Sequence, residues 1–145
     1  ENQKARESLM YGSTITGFAF DNSDVTGVHC ISESIGALYD VPHGVVNSIF
    51  LPHVLSYNMP YCTPKMAVLV RAAGINENDT MAAQLFVEMI QKLSDKLGIP
   101  SFKGLNIDKK EFETIEDMSY RNISTPSNPR DLEKEDYVKI LEDAY

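Results

Sequence analysis

The sequence predicts an all-α domain, and three observations support this prediction. Residues 79–97 carry apolar side chains at intervals of three and four residues, which is the period of a helix that buries one face. Prolines stand where they suit the first turn of a helix. No segment shows clean alternation of apolar and polar residues bounded by turns, so evidence for strands is thin. At 145 residues the chain is long enough for one domain with a hydrophobic core, and we expect residues 1–145 to form a single helical domain.

The first helix is predicted over residues 4–20, which are rich in small and apolar side chains. Gly12 and Gly17 are expected to let this helix approach a neighbour closely. The next four residues, 21–24, read Asp-Asn-Ser-Asp and are typical of a turn or a helix cap. A short helix is predicted after this turn, over about 26–38.

The next two predicted helices each begin at a proline. Pro42 suits the first turn of a helix that runs to about Tyr57, because its missing N–H has no partner in the first turn anyway. Pro64 opens another helix through Ala73, which Gly74 closes.

Residues 79–97 form the clearest predicted helix. Asn78 or Asp79 caps its start, and Gly98 and Pro100 end it. We interpret its apolar stripe as part of the core. The stripe consists of Met81, Ala82, Leu85, Phe86, Met89, Ile90, Leu93 and Leu97.

Two further helices are predicted, a weaker one over 108–119 and a final one over 132–144. The final helix should turn its apolar residues inward, namely Tyr137, Ile140, Leu141 and Ala144. The acidic run at 131–136 is interpreted as a solvated first turn, where negative charge favours the helix dipole.

Composition excludes several classes of function. The net charge of −8 argues against binding to nucleic acid and to anionic membranes, since both require clustered Lys and Arg. Residues 41–64 contain no charged side chain, but four prolines, two histidines and two asparagines within them argue against a membrane span. We expect no signal peptide, because residues 1–4 lead into no apolar run with a cleavage site. The two cysteines make no disulfide framework, which favours the cytoplasm.

All three histidines of the chain lie in or just before this uncharged stretch. His29 and Glu33 are four residues apart and would share one helix face, and His43 follows after a short reversal. Two imidazoles and a carboxylate suit a divalent metal such as iron or zinc. The spacing alone is more typical of hydrogen-bonded core histidines than of metal ligands. We interpret His53 as structural and Cys30 as a small packed apolar group.

Longer stretches of sequence around these histidines closely resemble the iron-containing (group III) alcohol dehydrogenases. The resemblance covers essentially the whole chain and is most specific between His29 and His53. It is carried by Gly17-Phe18-Ala19-Phe20-Asp21-Asn22-Ser23, Gly27-Val28-His29, residues 34–54, Leu97-Gly98-Ile99-Pro100, Asn128-Pro129-Arg130 and residues 140–145.

The resemblance implies a fold, a reaction and part of a metal site. The chain resembles most of the family's C-terminal helical, dehydroquinate synthase-like domain, in which His29 and His43 match two ligands of an Fe²⁺ or Zn²⁺ ion. An earlier Asp-x-x-x-His helix, which supplies the other ligands, has no counterpart here, and neither does a Gly-rich cofactor loop. The implied reaction is reversible hydride transfer between a small alcohol and NAD(P), with the metal polarising the substrate oxygen. Family members often form dimers or larger oligomers.

One position departs from the family pattern. Where members commonly carry a second histidine credited with proton traffic, this chain has Glu33. Its carboxylate could relay a proton or support a metal ligand, could bind the metal directly, or could be a bystander.

The resemblance implies a C-terminal fragment of a longer enzyme, inactive on its own, whose N-terminal dinucleotide-binding half is missing. The first residue, Glu rather than Met, and the incomplete ligand set favour this expectation. An alternative is a short or degenerate relative that serves as a non-catalytic structural or binding module. A third possibility is a split enzyme whose two halves associate.

Overall fold

The computed structural model describes residues 2–145, which contain six α-helices of nine residues or more. These helices are α1 (Gln3–Phe20), α2 (Gly27–Tyr39), α3 (His43–Ala72), α4 (Asp79–Lys96), α5 (Phe112–Tyr120) and α6 (Lys134–Ala144). Short 3-10 turns at Phe102–Leu105, Lys109–Glu111 and Thr125–Ser127 join the later helices. Residues 2–145 contain no strand, so the all-α prediction is confirmed.

Side chains at the helix ends explain where several helices begin and stop. The Asn78 side chain accepts a hydrogen bond from the Met81 N–H, which caps α4 as predicted. Gly98 ends that helix with a φ of +70°, a conformation that glycine adopts without strain. At the start of α6, Glu133 and Asp136 form a reciprocal capping box within the acidic run.

Helix α3 runs without a break through residues that the sequence divides into two predicted helices. Pro52, Pro60 and Pro64 all lie inside it. A proline removes one N–H and frees the carbonyl four residues earlier. The carbonyl that Pro52 frees belongs to Ser48, and it accepts a hydrogen bond of 3.4 Å from the Ser94 hydroxyl on α4.

No helix of residues 2–145 has the length and hydropathy needed to cross a membrane.

The main core lies where α2, α3, α5 and α6 meet, and it includes the turn around Phe102. The Phe102 ring packs edge-on against Phe50 at 4.8 Å and stacks on Phe112 at 5.5 Å. Three of the four residues predicted to face inward from the last helix, Tyr137, Ile140 and Leu141, are buried, whereas Ala144 is half-buried. The histidine-bearing helices α2 and α3 both contribute to this core.

The apolar stripe of α4 is mostly not part of the core, so that prediction is wrong. Helix α4 packs against α3, where Ala82 meets Ala67 and Val70 in a small separate cluster. The side chains that point away from α3 are exposed, namely Met81, Met89, Leu93 and Leu97. A helix with a single neighbour buries only the strip that faces it, although its apolar residues extend further round.

Helix α1 also differs from its prediction, because none of its residues is buried. A side chain added at Gly12 would meet nothing within 4 Å, and one at Gly17 would meet only the Phe20 ring. Neither glycine therefore allows a close helix contact within residues 2–145. Leu9, Ile15 and other apolar residues of α1 remain exposed.

The start of α2 is fixed against two distant segments. The Gly27 N–H donates to the Asn128 side chain at 3.4 Å, and Asn128 exchanges two hydrogen bonds with Asn58 of α3. A Cβ at Gly27 would lie 2.5 Å from the Cδ1 of Leu132, a buried core residue. Position 27 needs glycine because neighbouring atoms fill the space of a side chain.

We predict that Gly27→Ala destabilises the fold by about 1–3 kcal/mol, because Leu132 must move in a packed core. Gly36→Ala on the same helix is the matched control, since its Cβ would meet only the Val41 carbonyl oxygen at 3.8 Å. The control should be neutral or stabilising by up to about 1 kcal/mol. Urea unfolding measures both, and equal midpoints for the two variants would contradict this account.

Candidate metal centre

A tight reversal between α2 and α3 brings two histidines together. Asp40 caps the end of α2 in the left-handed conformation (φ 51°) and donates its N–H to the Gly36 carbonyl. Helix α3 starts three residues later, at His43 itself. The rings of His29 and His43 lie with their centroids 5.3 Å apart and their planes at 50°.

This separation fits two imidazoles that share one metal ion. With metal–nitrogen bonds of about 2.1 Å and tetrahedral angles, the centroids of two ligating rings lie roughly 5 Å apart. Within residues 2–145 no group of three or more His, Cys, Asp or Glu side chains is arranged to hold a metal. The described residues therefore bring two imidazole rings together without a third such side chain to complete a metal site.

The two rings have different surroundings. His29 is half-buried, and this burial lowers its pKa; the nearby His43 lowers it further, whereas Glu33 opposes the shift. His43 is exposed, and both of its ring nitrogens have protein partners. The Ser32 hydroxyl lies 3.1 Å from Nδ1, and the Asn47 Nδ2 lies 2.9 Å from Nε2.

Asn47 carries an unusual feature beside this pair. Its Oδ1 is buried and has no hydrogen-bond partner within residues 2–145. Buried polar atoms are nearly always paired, so an acceptor without a partner next to His43 is consistent with a site for a further group.

Glu33 is not brought into the pair. Its carboxylate is exposed and accepts a 2.7 Å hydrogen bond from the Asn122 side chain. This places Glu33 beside the His29–His43 pair but outside any three-ligand group. The arrangement favours a supporting role for Glu33 beside the two imidazoles over direct binding of a metal by its carboxylate.

The segment that carries Asn122 is anchored to the loop before α2. Asp24 Oδ1 accepts from the Ser124 hydroxyl at 3.1 Å and its Oδ2 accepts from the Ser127 hydroxyl at 2.7 Å. These bonds, with one from the Val25 N–H, lower the pKa of the Asp24 carboxyl.

The other residues considered in the sequence lie away from the pair or in the core. His53 is half-buried and lines a separate surface cleft with Tyr57, Arg130 and Asp143. Cys30 is fully buried, as expected for a packed thiol, and burial raises its pKa.

Three neighbours of the site were not anticipated, namely Ser32, Asn47 and Asn122. Asn47 stands four residues after His43, and this helical spacing predicts that the two side chains are neighbours. Ser32 and Asn122 depend on how α2 packs against α3 and against the loop after α5, which spacing along the chain does not reveal.

The fold and the ring pair define an all-helical domain with two imidazole rings 5.3 Å apart. A family model described as "Fe-containing alcohol dehydrogenase family, C-terminal" matches residues 1–145. The chain therefore belongs to this family, as its sequence motifs predict.

Individual relatives agree with this assignment. The 1,3-propanediol dehydrogenase of Citrobacter freundii is 35% identical over 99% of this chain and 38% of its own length. The NAD-dependent methanol dehydrogenase of Bacillus methanolicus is 28% identical over 99% of this chain and 39% of its own. A crystal structure of 1,3-propanediol oxidoreductase superimposes with a TM-score of 0.95 and 32% identity, covering 100% of this chain and 39% of that one. The chain thus spans about two fifths of the length of these relatives.

We predict that Asp24 contributes stability that depends on pH. Because its pKa is lowered in the folded state, this contribution is complete above the ordinary Asp value of about 3.9 and is lost as the pH falls through the folded-state value. Asp24→Asn tolerates the same left-handed backbone (φ 62°) and lacks the charge. The difference in urea midpoint between wild type and variant should shrink on acidification from pH 7 to pH 2.5, and a constant difference would contradict the assignment.

Proposed function

We propose that this chain is the C-terminal helical part of an NAD(P)-dependent, metal-dependent alcohol dehydrogenase. The observation that carries the proposal is the pair of imidazoles at 5.3 Å, in a chain that the family model matches from end to end. The proposed reaction is reversible hydride transfer between a small alcohol and the corresponding aldehyde or ketone.

His29 and His43 are the proposed protein ligands of an Fe²⁺ or Zn²⁺ ion on this side of the active site. Imidazole suits both metals. When bound, the ion would act as a Lewis acid on the substrate oxygen, and NAD(P) would take up the hydride. Burial lowers the pKa of His29, which keeps this ring neutral and its lone pair available near pH 7.

The rest of the active site is proposed to come from an N-terminal half outside residues 1–145. The relatives are about two and a half times as long as this chain, which leaves room for a dinucleotide-binding domain and the remaining metal ligands. Helix α1 offers a surface for that half, because Tyr11, Ile15 and Phe18, spaced by four and three residues along the helix, share one exposed face. A contiguous apolar face of this kind is uncommon on a surface that stays in water.

Glu33 is proposed to relay a proton near the substrate. Its exposed carboxylate lies on the same helix as His29, and the bond from Asn122 holds it in place. We further propose a cytoplasmic location, because both cysteines, Cys30 and Cys62, are free. A homo-oligomer, which the family resemblance implies, is also part of the proposal.

The proposal predicts a loss of metal in the intact protein on His29→Ala or His43→Ala. Each variant removes one of the ring nitrogens, so bound metal and NAD(P)-dependent alcohol oxidation should both fall to near background. His53→Ala is the matched control, because His53 lies on the same helix as His43 and lines a separate cleft. Elemental analysis and initial rates are the measurements.

If both ligand variants keep wild-type metal and activity, the site assignment is wrong. An intact protein that binds neither metal nor NAD(P) would support the alternative, a non-catalytic module. The 145-residue chain alone should show negligible turnover, since the cofactor site lies outside it, and robust oxidation by it would contradict the proposal.

For Glu33 we predict that Glu33→Gln lowers kcat of the intact enzyme about 100-fold and removes a limb of its pH–rate profile. Glu33→His should restore turnover with a limb shifted toward neutral pH, because imidazole titrates near 6.5. Glu113→Gln, an exposed position on α5, is the control. A Glu33→Gln enzyme with the wild-type rate and profile would make Glu33 a bystander.

A further inference from the structure

We infer that Ser32 is a positioning residue, which holds His43 in the tautomer whose Nε2 carries the lone pair that a metal would bind. The inference rests on the proposed role of His43 as a metal ligand. It concerns a hydroxyl that no sequence pattern singled out and that links the two proposed ligands directly.

Ser32 lies on the face of α2 that packs against α3, and it is completely buried. Its Oγ is 3.1 Å from the Nδ1 of His43 and 3.2 Å from the backbone carbonyl oxygen of His29. One hydroxyl therefore contacts the ring of one proposed ligand and the backbone of the other.

The bond from the Ser32 hydroxyl to the His29 carbonyl favours one position for the His43 proton. A serine hydroxyl has a single hydrogen, and the His29 carbonyl can only accept. With that hydrogen donated to His29, Oγ can only accept from His43, so Nδ1 carries the proton. In a neutral ring with Nδ1–H, the lone pair is on Nε2.

The contact at the other ring nitrogen agrees with this tautomer. The Asn47 Nδ2 donates to Nε2 at 2.9 Å, which requires a lone pair there. A metal at Nε2 would take that lone pair, so Asn47 could not hold the ring in the metal-bound state. The bond at Nδ1 survives metal binding, which makes Ser32 the residue that can orient His43 in both states.

The same hydroxyl couples the two ligands. By accepting from the His43 ring and donating to the His29 backbone, Ser32 links α2 and α3 at the level of the metal pair. It therefore helps to keep the ring centroids at their 5.3 Å separation. Partners of this kind commonly change metal affinity by about 10–100-fold when they are removed.

The test compares Ser32→Ala with Ser34→Ala in the intact protein. Ser34 is also a buried serine of α2 that hydrogen-bonds a backbone carbonyl, in its case that of Cys30, and His43 is not among its hydrogen-bond partners. Ser32→Ala should weaken Zn²⁺ binding about 10–100-fold in competition with a chromophoric chelator. Ser34→Ala should bind Zn²⁺ as the wild type does.

The tautomer is measured separately, without metal. Two-bond ¹H–¹⁵N spectra of [¹⁵N]histidine-labelled protein, with His43 assigned from the His43→Ala variant, should show an Nδ1–H ring in the wild type. Ser32→Ala should convert His43 to a mixture of tautomers. A wild-type ring with Nε2–H would overturn the inference even if Ser32→Ala did not fold.

The remaining outcomes separate this inference from the proposed function. Suppose that Ser32→Ala keeps the wild-type Zn²⁺ affinity and tautomer, whereas His43→Ala loses Zn²⁺. This result would contradict the role of Ser32 but would support the metal site. Unchanged Zn²⁺ binding in His43→Ala would overturn the metal site itself. An equal loss of affinity in Ser34→Ala would show a general packing effect and would also overturn the inference.

Discussion

The close approach of α2 and α3 is the constraint on which the rest of the structure depends. The two helices are separated by only three residues, and Asp40 makes the reversal possible by adopting a left-handed conformation. Asparagine and aspartate tolerate this conformation better than other residues with a side chain. Because His29 lies near the start of α2 and His43 at the first turn of α3, the crossing of these helices fixes the distance between the rings.

Buried polar contacts reinforce the crossing at both ends. At one end the paired side chains of Asn58 and Asn128 hold the N–H of Gly27, and at the other Ser32 links the two histidines. The bonds that Asn128 makes with Gly27 and Asn58 are buried, and breaking one of them leaves an unpaired polar group. These hydrogen bonds therefore support the geometry of the site, and breaking them would lower the stability of the fold.

Local signals predicted much of the fold, and contacts distant in sequence account for the rest. The cap at Asn78, the stop at Gly98 and the inward residues of α6 all follow from short-range patterns, and they are confirmed. The break predicted between Tyr57 and Pro64 is wrong, because Pro60 and Pro64 lie inside a continuous α3, which packs along α4. Half of the α4 stripe is exposed, because α3 covers only the strip of α4 that faces it. For the site, the spacing of His29 and His43 predicted their approach, whereas the bond from Asn122 to Glu33 spans 89 positions and left no local signal.

Anomalous X-ray diffraction from crystals of the intact, metal-loaded protein tests the shared site most directly. The account predicts one peak about 2.0–2.2 Å from a ring nitrogen of His29 and from the Nε2 of His43, with the Ser32 contact at Nδ1 preserved. A peak bound to neither ring, or a metal held by ligands that exclude one of them, would contradict it.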